Sequence, residues 1–297
     1  MGLLASIHHP RRYDVLREIR TLDPERDTDR IVWLTSRHEF PWDYTQGTGI
    51  AFLRDYGVPS ISRLLQRTGQ FERDGVKRYD DTLLFAEEAM AEGIESTRSH
   101  AALRRLNRIH GHYDIPNDEF RYVLATTIVG PVRWIDQFGW RHLDPVELSA
   151  LARFTTRFGQ LMGVRDLPTT YEGYLHLLTT YERERFAADP ANRHVTEASL
   201  RIARATAPWP LKPFVRRITI ALMDEPLRAA LGLRRQPRWL EVAVRAGLRT
   251  RAGLLRLAPP RRAAHRHRPS TYPLGYRLGD LGPASMLDDL DRRSRPA

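Results

Sequence analysis

The stretch Asn117-Asp118-Glu119-Phe120-Arg121-Tyr122-Val123-Leu124-Ala125-Thr126-Thr127-Ile128-Val129-Gly130-Pro131-Val132-Arg133-Trp134-Ile135-Asp136-Gln137-Phe138 decides the fold class. Its apolar residues do not alternate with polar ones as on a half-buried strand; they fall at the spacing of a helix. Asn117 precedes Asp118 and Glu119, two acids that suit a helix N-terminus. The same period continues outward. Upstream it predicts helices near Tyr13–Thr21, Pro24–Leu34, Trp42–Tyr56, Ser60–Gln66, Arg78–Glu92 and Ser99–His112. Downstream it predicts Pro145–Met162, Pro168–Phe186, Asn192–Ala205, Pro213–Leu222, Glu225–Leu231 and Arg238–Leu257. Asp144 before Pro145, with Glu147 close behind, marks one start. Gly93, Gly163 and Gly232 sit where helices should end. Hairpin signals between β-branched runs are missing. The reading is all-α: a single compact multi-helix domain over 1–258 with a cofactor pocket between helices, then a basic, poorly ordered tail over 259–297.

The chain has 297 residues, 41% hydrophobic and 28% charged, which excludes a mainly disordered or collagen-like polymer. Cysteine is absent, so disulfides, zinc–thiolate sites, iron–sulfur clusters and cysteine nucleophiles are excluded. The formal charge is +11, and Lys77 and Lys212 are the only lysines. From Arg201 to Arg268 sixteen arginines and one lysine face three acids, a local net of +14 that leaves the rest at −3. Such a surface favours anionic lipid, nucleic acid or acidic partners. Without a helix-turn-helix signature, no specific nucleic acid is expected. Met1–Arg12 lacks a signal-peptide core and no run of about 18 apolar residues occurs. The expected location is cytoplasmic, with peripheral membrane contact through the basic C-terminal third. Within it, Arg238–Leu257 reads as an interfacial helix. Trp239, Leu240, Val244, Leu248 and Leu255 form its apolar side, opposite Arg238, Glu241, Arg245, Arg249 and Arg256. The same pattern also suits a helix packed on the body.

The P-loop, dinucleotide fingerprint, nucleophile elbow and H-E-x-x-H motifs are all absent, and Glu-x-x-His occurs nowhere among 11 histidines. What remains for an all-α chain is a cofactor held between helices. The densest polar segment is Arg104-Arg105-Leu106-Asn107-Arg108-Ile109-His110-Gly111-His112-Tyr113. Residues two apart on a helix point to opposite sides. His110 falls on the apolar face with Leu103, Leu106 and Tyr113, while His112 falls with Arg105 and Arg108. His110 suits an axial ligand to haem iron, though spacing alone favours a hydrogen-bonded core histidine, since most buried histidines are structural. In Lys77-Arg78-Tyr79-Asp80-Asp81-Thr82, Arg78 and Thr82 share a face and could hold a carboxylate such as a haem propionate. A surface pair, or a helix cap around Asp80 and Asp81, accounts for them as well. His176 lies in an apolar helix, as a second ligand, a pocket residue or a core histidine. His100 and His142 sit near helix ends, and His265 and His267 fall in the tail.

Lys77–Thr82, Leu106–Gly111, Ile115–Asp118, Pro131–Trp134 and Phe138–Arg141, in this order and spacing, resemble the MpaB-type oxygenases. This is the family of fungal endoplasmic-reticulum-bound MpaB and bacterial rubber oxygenase, or latex clearing protein. Tyr56–Ser62, Gln160–Val164 and Tyr181-Glu182 extend the likeness, which spans roughly Trp42 to Leu233 and is closer to the MpaB branch. The resemblance implies an all-α domain binding haem b and a haem-dependent, dioxygenase-type enzyme. It implies O₂-dependent cleavage of a carbon–carbon double bond in a hydrophobic, terpenoid or lipid-like substrate. A non-catalytic haem- or lipid-binding protein at membrane surfaces is the alternative. By position, His110 matches the iron ligand, Arg78 and Thr82 match the arginine–threonine pair at the haem, and Asn107 and Arg108 flank the histidine at the cofactor. Leu124 stands where many members carry a histidine. The distal lysine of the rubber oxygenases has no evident match, Lys77 being the one lysine nearby. The membrane-anchoring N-terminal segment of the fungal relatives is not expected here.

Overall fold

The computed structural model describes residues 11–261, 263–287 and 290. The apolar start of Met1–Arg12 and the acidic stretch Asp288–Asp291 lie almost wholly outside them. The described residues form fourteen α-helices and no strand. In chain order these are α1 (Asp14–Thr21), α2 (Thr28–Trp33), α3 (Pro41–Asp55), α4 (Pro59–Thr68), α5 (Gln70–Arg73), α6 (Gly75–Ala91) and α7 (Thr97–His110). They continue with α8 (Asn117–Phe138), α9 (Pro145–Leu161), α10 (Tyr171–Arg185), α11 (Pro190–Thr206), α12 (Val215–Leu222), α13 (Glu225–Ala230) and α14 (Arg238–Leu257). α5 and a π-helical turn at Leu34–Glu39 are absent from the sequence reading, both being too short to show a period.

α8 is the axis of the fold, and its most extensive partner is α3. Small residues set the approach. A Cβ on Gly130 would stand 2.4 Å from Ala51 Cβ, and one on Gly47 2.5 Å from Pro131 Cα. α9 and α10 cover other sides of α8, and the core between them buries Phe40, Tyr122, Trp140 and Tyr174 completely. The start of α9 carries the expected capping box. Val146 N donates to Asp144 Oδ1 at 3.2 Å, and Asp144 N donates to Glu147 Oε2 at 2.7 Å. Glu147 also takes Arg141 at 2.6 Å, and Arg141 reaches Glu39 at 2.9 Å, tying the π turn to α9.

The C-terminal segment departs from expectation. Its composition predicts a loose tail from Pro259, yet residues 263–287 lie across α6 and α7. Leu281 and Leu290 are fully buried with Leu84, Phe85, Ala102 and Ile109, and Tyr272, Tyr276, Leu278 and Met286 pack around them. Lys77 Nζ donates to Asp81 at 2.8 Å, to Tyr272 Oη at 2.7 Å and to the carbonyls of Asp280 and Gly282. Asp80 accepts from Thr271 N at 2.8 Å and lies 3.1 Å from His267 Nε2. Arg105 is buried and donates to the carbonyls of Leu281 and Gly279. Asp80, Asp81 and Arg105 are therefore neither helix caps nor solvent-facing groups; they bind this strap. A few aromatic and aliphatic anchors suffice to dock a segment whose average composition is polar.

α14 is also turned differently. Leu240, Val244, Leu248 and Leu255 are half-buried, but Trp239 stands 70% exposed and does not join them. Arg245 reaches Gln137 at 3.2 Å, Arg251 pairs with Asp43 at 2.9 Å, and Arg256 Nε donates to Trp140 O at 2.7 Å. Three arginines thus hold the helix to the body. No helix among the described residues is long and apolar enough to cross a membrane.

Candidate functional site

The site is built where α6, the end of α7 and the start of α8 meet. α7 begins at the N-cap Ser96, whose hydroxyl accepts from Ser99 N at 3.1 Å. It ends at His110, where Gly111 N closes the last turn on Asn107 O at 2.8 Å. This register points the His110 imidazole at α8, edge-on to Phe120 with ring centroids 5.3 Å apart. Burial, reinforced by the positive charge of Arg78, pushes the imidazole pKa down to about 4. At neutral pH the ring is uncharged, the form that ligates a metal. Its Nδ1 is buried and has no hydrogen-bond partner among the described residues. A core histidine held for structure would have one.

Arg78 is half-buried on α6, with its guanidinium 5.7 Å from the centre of the Phe71 ring on α5. Its side chain makes no hydrogen bond or ion pair among the described residues. A cation held beside a neutral imidazole and lacking a carboxylate is set for an anionic group. Thr82 lies one turn on, and its hydroxyl donates to Arg78 O at 2.8 Å. Asn107 Nδ2 donates to Leu161 O at 2.9 Å, so this side chain locks the end of α9 to α7. Arg108 is half-buried, and its carbonyl lies 2.7 Å from Nδ1 of the exposed His112. Arg78 therefore lies close enough to His110 to act on its charge, Thr82 sits next to Arg78, and the Asn107 amide is turned toward α9.

The remaining candidates fall away from this point. His176 is exposed, which excludes it as a core or pocket histidine. His100 and His142 pair with Glu95 and Asp136, each at 3.2 Å. His265 N donates to Arg37 O at 2.9 Å and His267 contacts Asp80, so both secure the strap. Lys77 is spent on the strap as well. Leu124 is buried against α9, where a Cβ on Gly159 would meet its Cδ1 at 2.6 Å. Phe120 and Phe71 are the site residues that sequence reasoning missed. Phe120 sits one turn before Leu124 on the same face of α8, a register that could have flagged it; Phe71 gives no such signal.

Among the described residues no group of three His, Asp or Glu side chains could hold a bare metal ion. His110 is a lone imidazole, and a lone imidazole suits a metal whose other ligands arrive with a macrocycle. The donor set, the orphaned Nδ1 and the unpartnered guanidinium together fit a haem. A cleft of about 270 Å³ opens between α4 and the α7–α8 connection, lined by Ser60, Arg63, Leu64, Arg67, Asp114, Pro116 and Glu119; His110 and Arg78 do not line it.

Residues 45–256 match the family described as "ER-bound oxygenase mpaB/B'/Rubber oxygenase, catalytic domain". An ER-bound oxygenase mpaB' of Penicillium brevicompactum is 32% identical over 246 residues, covering 76% of this chain and 58% of that protein. An ER-bound oxygenase mpaB of Penicillium roqueforti is 29% identical over 237 residues, 74% of this chain and 80% of that protein. An mpaB of Penicillium brevicompactum is 30% identical over 223 residues, with 66% and 57% covered. The chain thus spans little more than half the length of two of these three relatives. The match runs from within α3 to the end of α14, and it contains every residue of the corner formed by His110, Arg78 and Phe120. On that evidence the chain belongs to the family of mpaB-type and rubber oxygenase catalytic domains.

Proposed function

We propose that this chain is a haem b-dependent oxygenase that uses O₂ to cleave a carbon–carbon double bond in a hydrophobic, terpenoid or lipid-like substrate. The observation that carries the reading is His110, a half-buried neutral imidazole whose buried Nδ1 has no hydrogen-bond partner among the described residues, within electrostatic reach of Arg78. Haem iron, when bound, supplies the activation of O₂. His110 would hold the iron through its imidazole. Being uncharged at neutral pH, it need not lose a proton first. Arg78 would receive a carboxylate such as a propionate, the bidentate partner a guanidinium fits best. Thr82 fixes the turn that presents Arg78 by bonding its carbonyl. Asn107 keeps α7 in register with α9, so His110 stays aimed at α8, and Phe120 shields the imidazole from water. The apolar helices around them suit an unsaturated hydrocarbon chain. Family membership supports oxygenase chemistry, and haem and substrate class are our extension of it.

The test is reconstitution with haemin. Wild type takes up haem and shows a Soret band. His110→Ala loses retention by roughly tenfold or more, the scale of losing a metal ligand. His112→Ala, an exposed neighbour, retains haem as wild type does. Equal retention by the two variants overturns the ligand assignment. O₂ consumption by the haem-loaded protein with unsaturated terpenoid acids then separates an oxygenase from a carrier. Haem uptake with no consumption assigns the alternative, a non-catalytic haem-binding protein.

A further inference from the structure

α14 carries a face that the body does not cover. At about 100° per residue, Trp239, Val242, Ala246 and Leu257 share one sector of the helix, with Leu254 at its edge. All five are exposed, Leu257 to 86%. Arg238, Arg249 and Arg256 fall together along the opposite border of that sector. Arg238 and Arg249 make no hydrogen bond or ion pair among the described residues. α12 packs directly against α14. The segment leading into α12 also exposes Trp209, to 83%, together with Leu211 and Phe214. Exposed apolar residues clustered on one face of a folded body mark an interaction site.

Along the arginine border a cleft of about 230 Å³ opens between the end of α8 and α14. Arg141 lines it, but Glu39 and Glu147 neutralise that charge. His142 lines it facing Asp136 at 3.2 Å. Its net positive charge therefore comes from Arg249 and Arg256. The only acid on α14 is Glu241, which is taken by Arg235 at 2.8 Å.

The charge pattern selects the occupant. A second copy of this chain would oppose one +14 region to another, which disfavours self-docking. Nucleic acid would satisfy the arginines and leave the tryptophans and leucines in water. An anionic bilayer satisfies both, because phosphates meet the arginine border while the apolar sector enters the acyl boundary. Tryptophan, apolar with one polar edge, suits that depth. We propose that the α14 face, with the Trp209–Phe214 segment beside it, docks this protein on an anionic lipid surface. The proposal stands whether or not haem is the cofactor.

The experiment is co-sedimentation of the full chain with vesicles of equal parts phosphatidylglycerol and phosphatidylcholine, against phosphatidylcholine alone. Wild type binds the mixed vesicles, and far less of it binds the neutral ones. The triple substitution Trp239→Ser, Leu254→Ser, Leu257→Ser weakens binding by roughly tenfold or more. Arg238→Glu with Arg249→Glu weakens it by roughly tenfold or more and flattens its salt dependence. All five positions are exposed, so circular dichroism and melting stay those of wild type and exclude misfolding. The proposal is overturned if wild type ignores the mixed vesicles, or if the triple variant binds them undiminished. It is equally overturned if wild type binds duplex DNA or dimerises through this face while ignoring lipid.

Discussion

Asp55, at the end of α3, shows how a single residue is set by its surroundings. Burial, with Glu182 nearby, holds its pKa well above the ordinary 3.8, against the opposing effects of Thr126 and Arg54. Thr126 Oγ1 lies 3.0 Å from Asp55 Oδ1 and 2.8 Å from Val123 O. One hydroxyl proton cannot serve both acceptors. A protonated Asp55 resolves this by donating to Thr126, which then donates to Val123. The unfolded chain releases this proton near the ordinary value, whereas the folded one keeps it. The stability it confers is therefore complete below that value and declines as pH rises toward the raised one. Asp55→Asn supplies a permanent donor of the same shape. It should stabilise the protein by about 1–3 kcal/mol near neutrality and flatten the decline. Urea unfolding at about pH 5 and about pH 8 measures this; an unchanged slope between them would show that Asp55 is ionised in the fold.

At the scale of elements, the contact of α3 with α8 depends on missing side chains. Gly47 and Gly130 let the two backbones approach until an added Cβ would collide with Pro131 and Ala51. Gly130→Ala favours the helix intrinsically by about 1 kcal/mol but must push α3 away from α8. The expected net is a loss of about 1–3 kcal/mol, the usual cost of overpacking, read as a lower urea midpoint. A midpoint at or above wild type would mean the pair has slack. The strap on α6 is the second such case. Four buried acids of α6, Asp80, Asp81, Glu87 and Glu88, find partners in the strap, and Tyr276 Oη donates to Glu88 at 2.5 Å. This places a C-terminal element directly behind the helix that bears Arg78.

For the whole molecule, the strap decides where the folded body ends. A chain cut after Ala258 would expose Leu84, Phe85 and Ile109 and take from Asp80 its contacts to His267, Ser270 and Thr271, while Asp81, Glu87 and Glu88 keep Lys77, Arg37 and Arg98. Leaving a buried carboxylate without its hydrogen-bond donors costs about 1–3 kcal/mol, before the lost apolar burial is counted. Melting should fall by about 5–10 °C or more for a body of this size, as calorimetry would show. Melting unchanged from wild type would make the strap an accessory. The ion pairs work at the same scale. Arg54 reaches Glu182 of α10 at 2.5 Å and Asp224 at the start of α13 at 2.7 Å, joining three distant helices through one side chain.

The sequence by itself determined the helical class, the span of α8 and α14 to the residue, the cap at Asp144 and the face of α7 that carries His110. These follow from local rules, since period, capping groups and glycine positions act within a few residues. Through family resemblance it also offered His110 and Arg78 as one site, which stands as a proposal. Tertiary structure alone decided what burial and distant partners decide. It made His110 neutral with no partner for Nδ1 among the described residues, set Phe120 against it, spent Lys77 and Arg105 on the strap, and turned Trp239 outward. Each of these outcomes depends on residues far apart in the chain. Periodicity ranks the faces of one helix, but only the packed molecule determines which face meets a neighbour and which is left to the solvent.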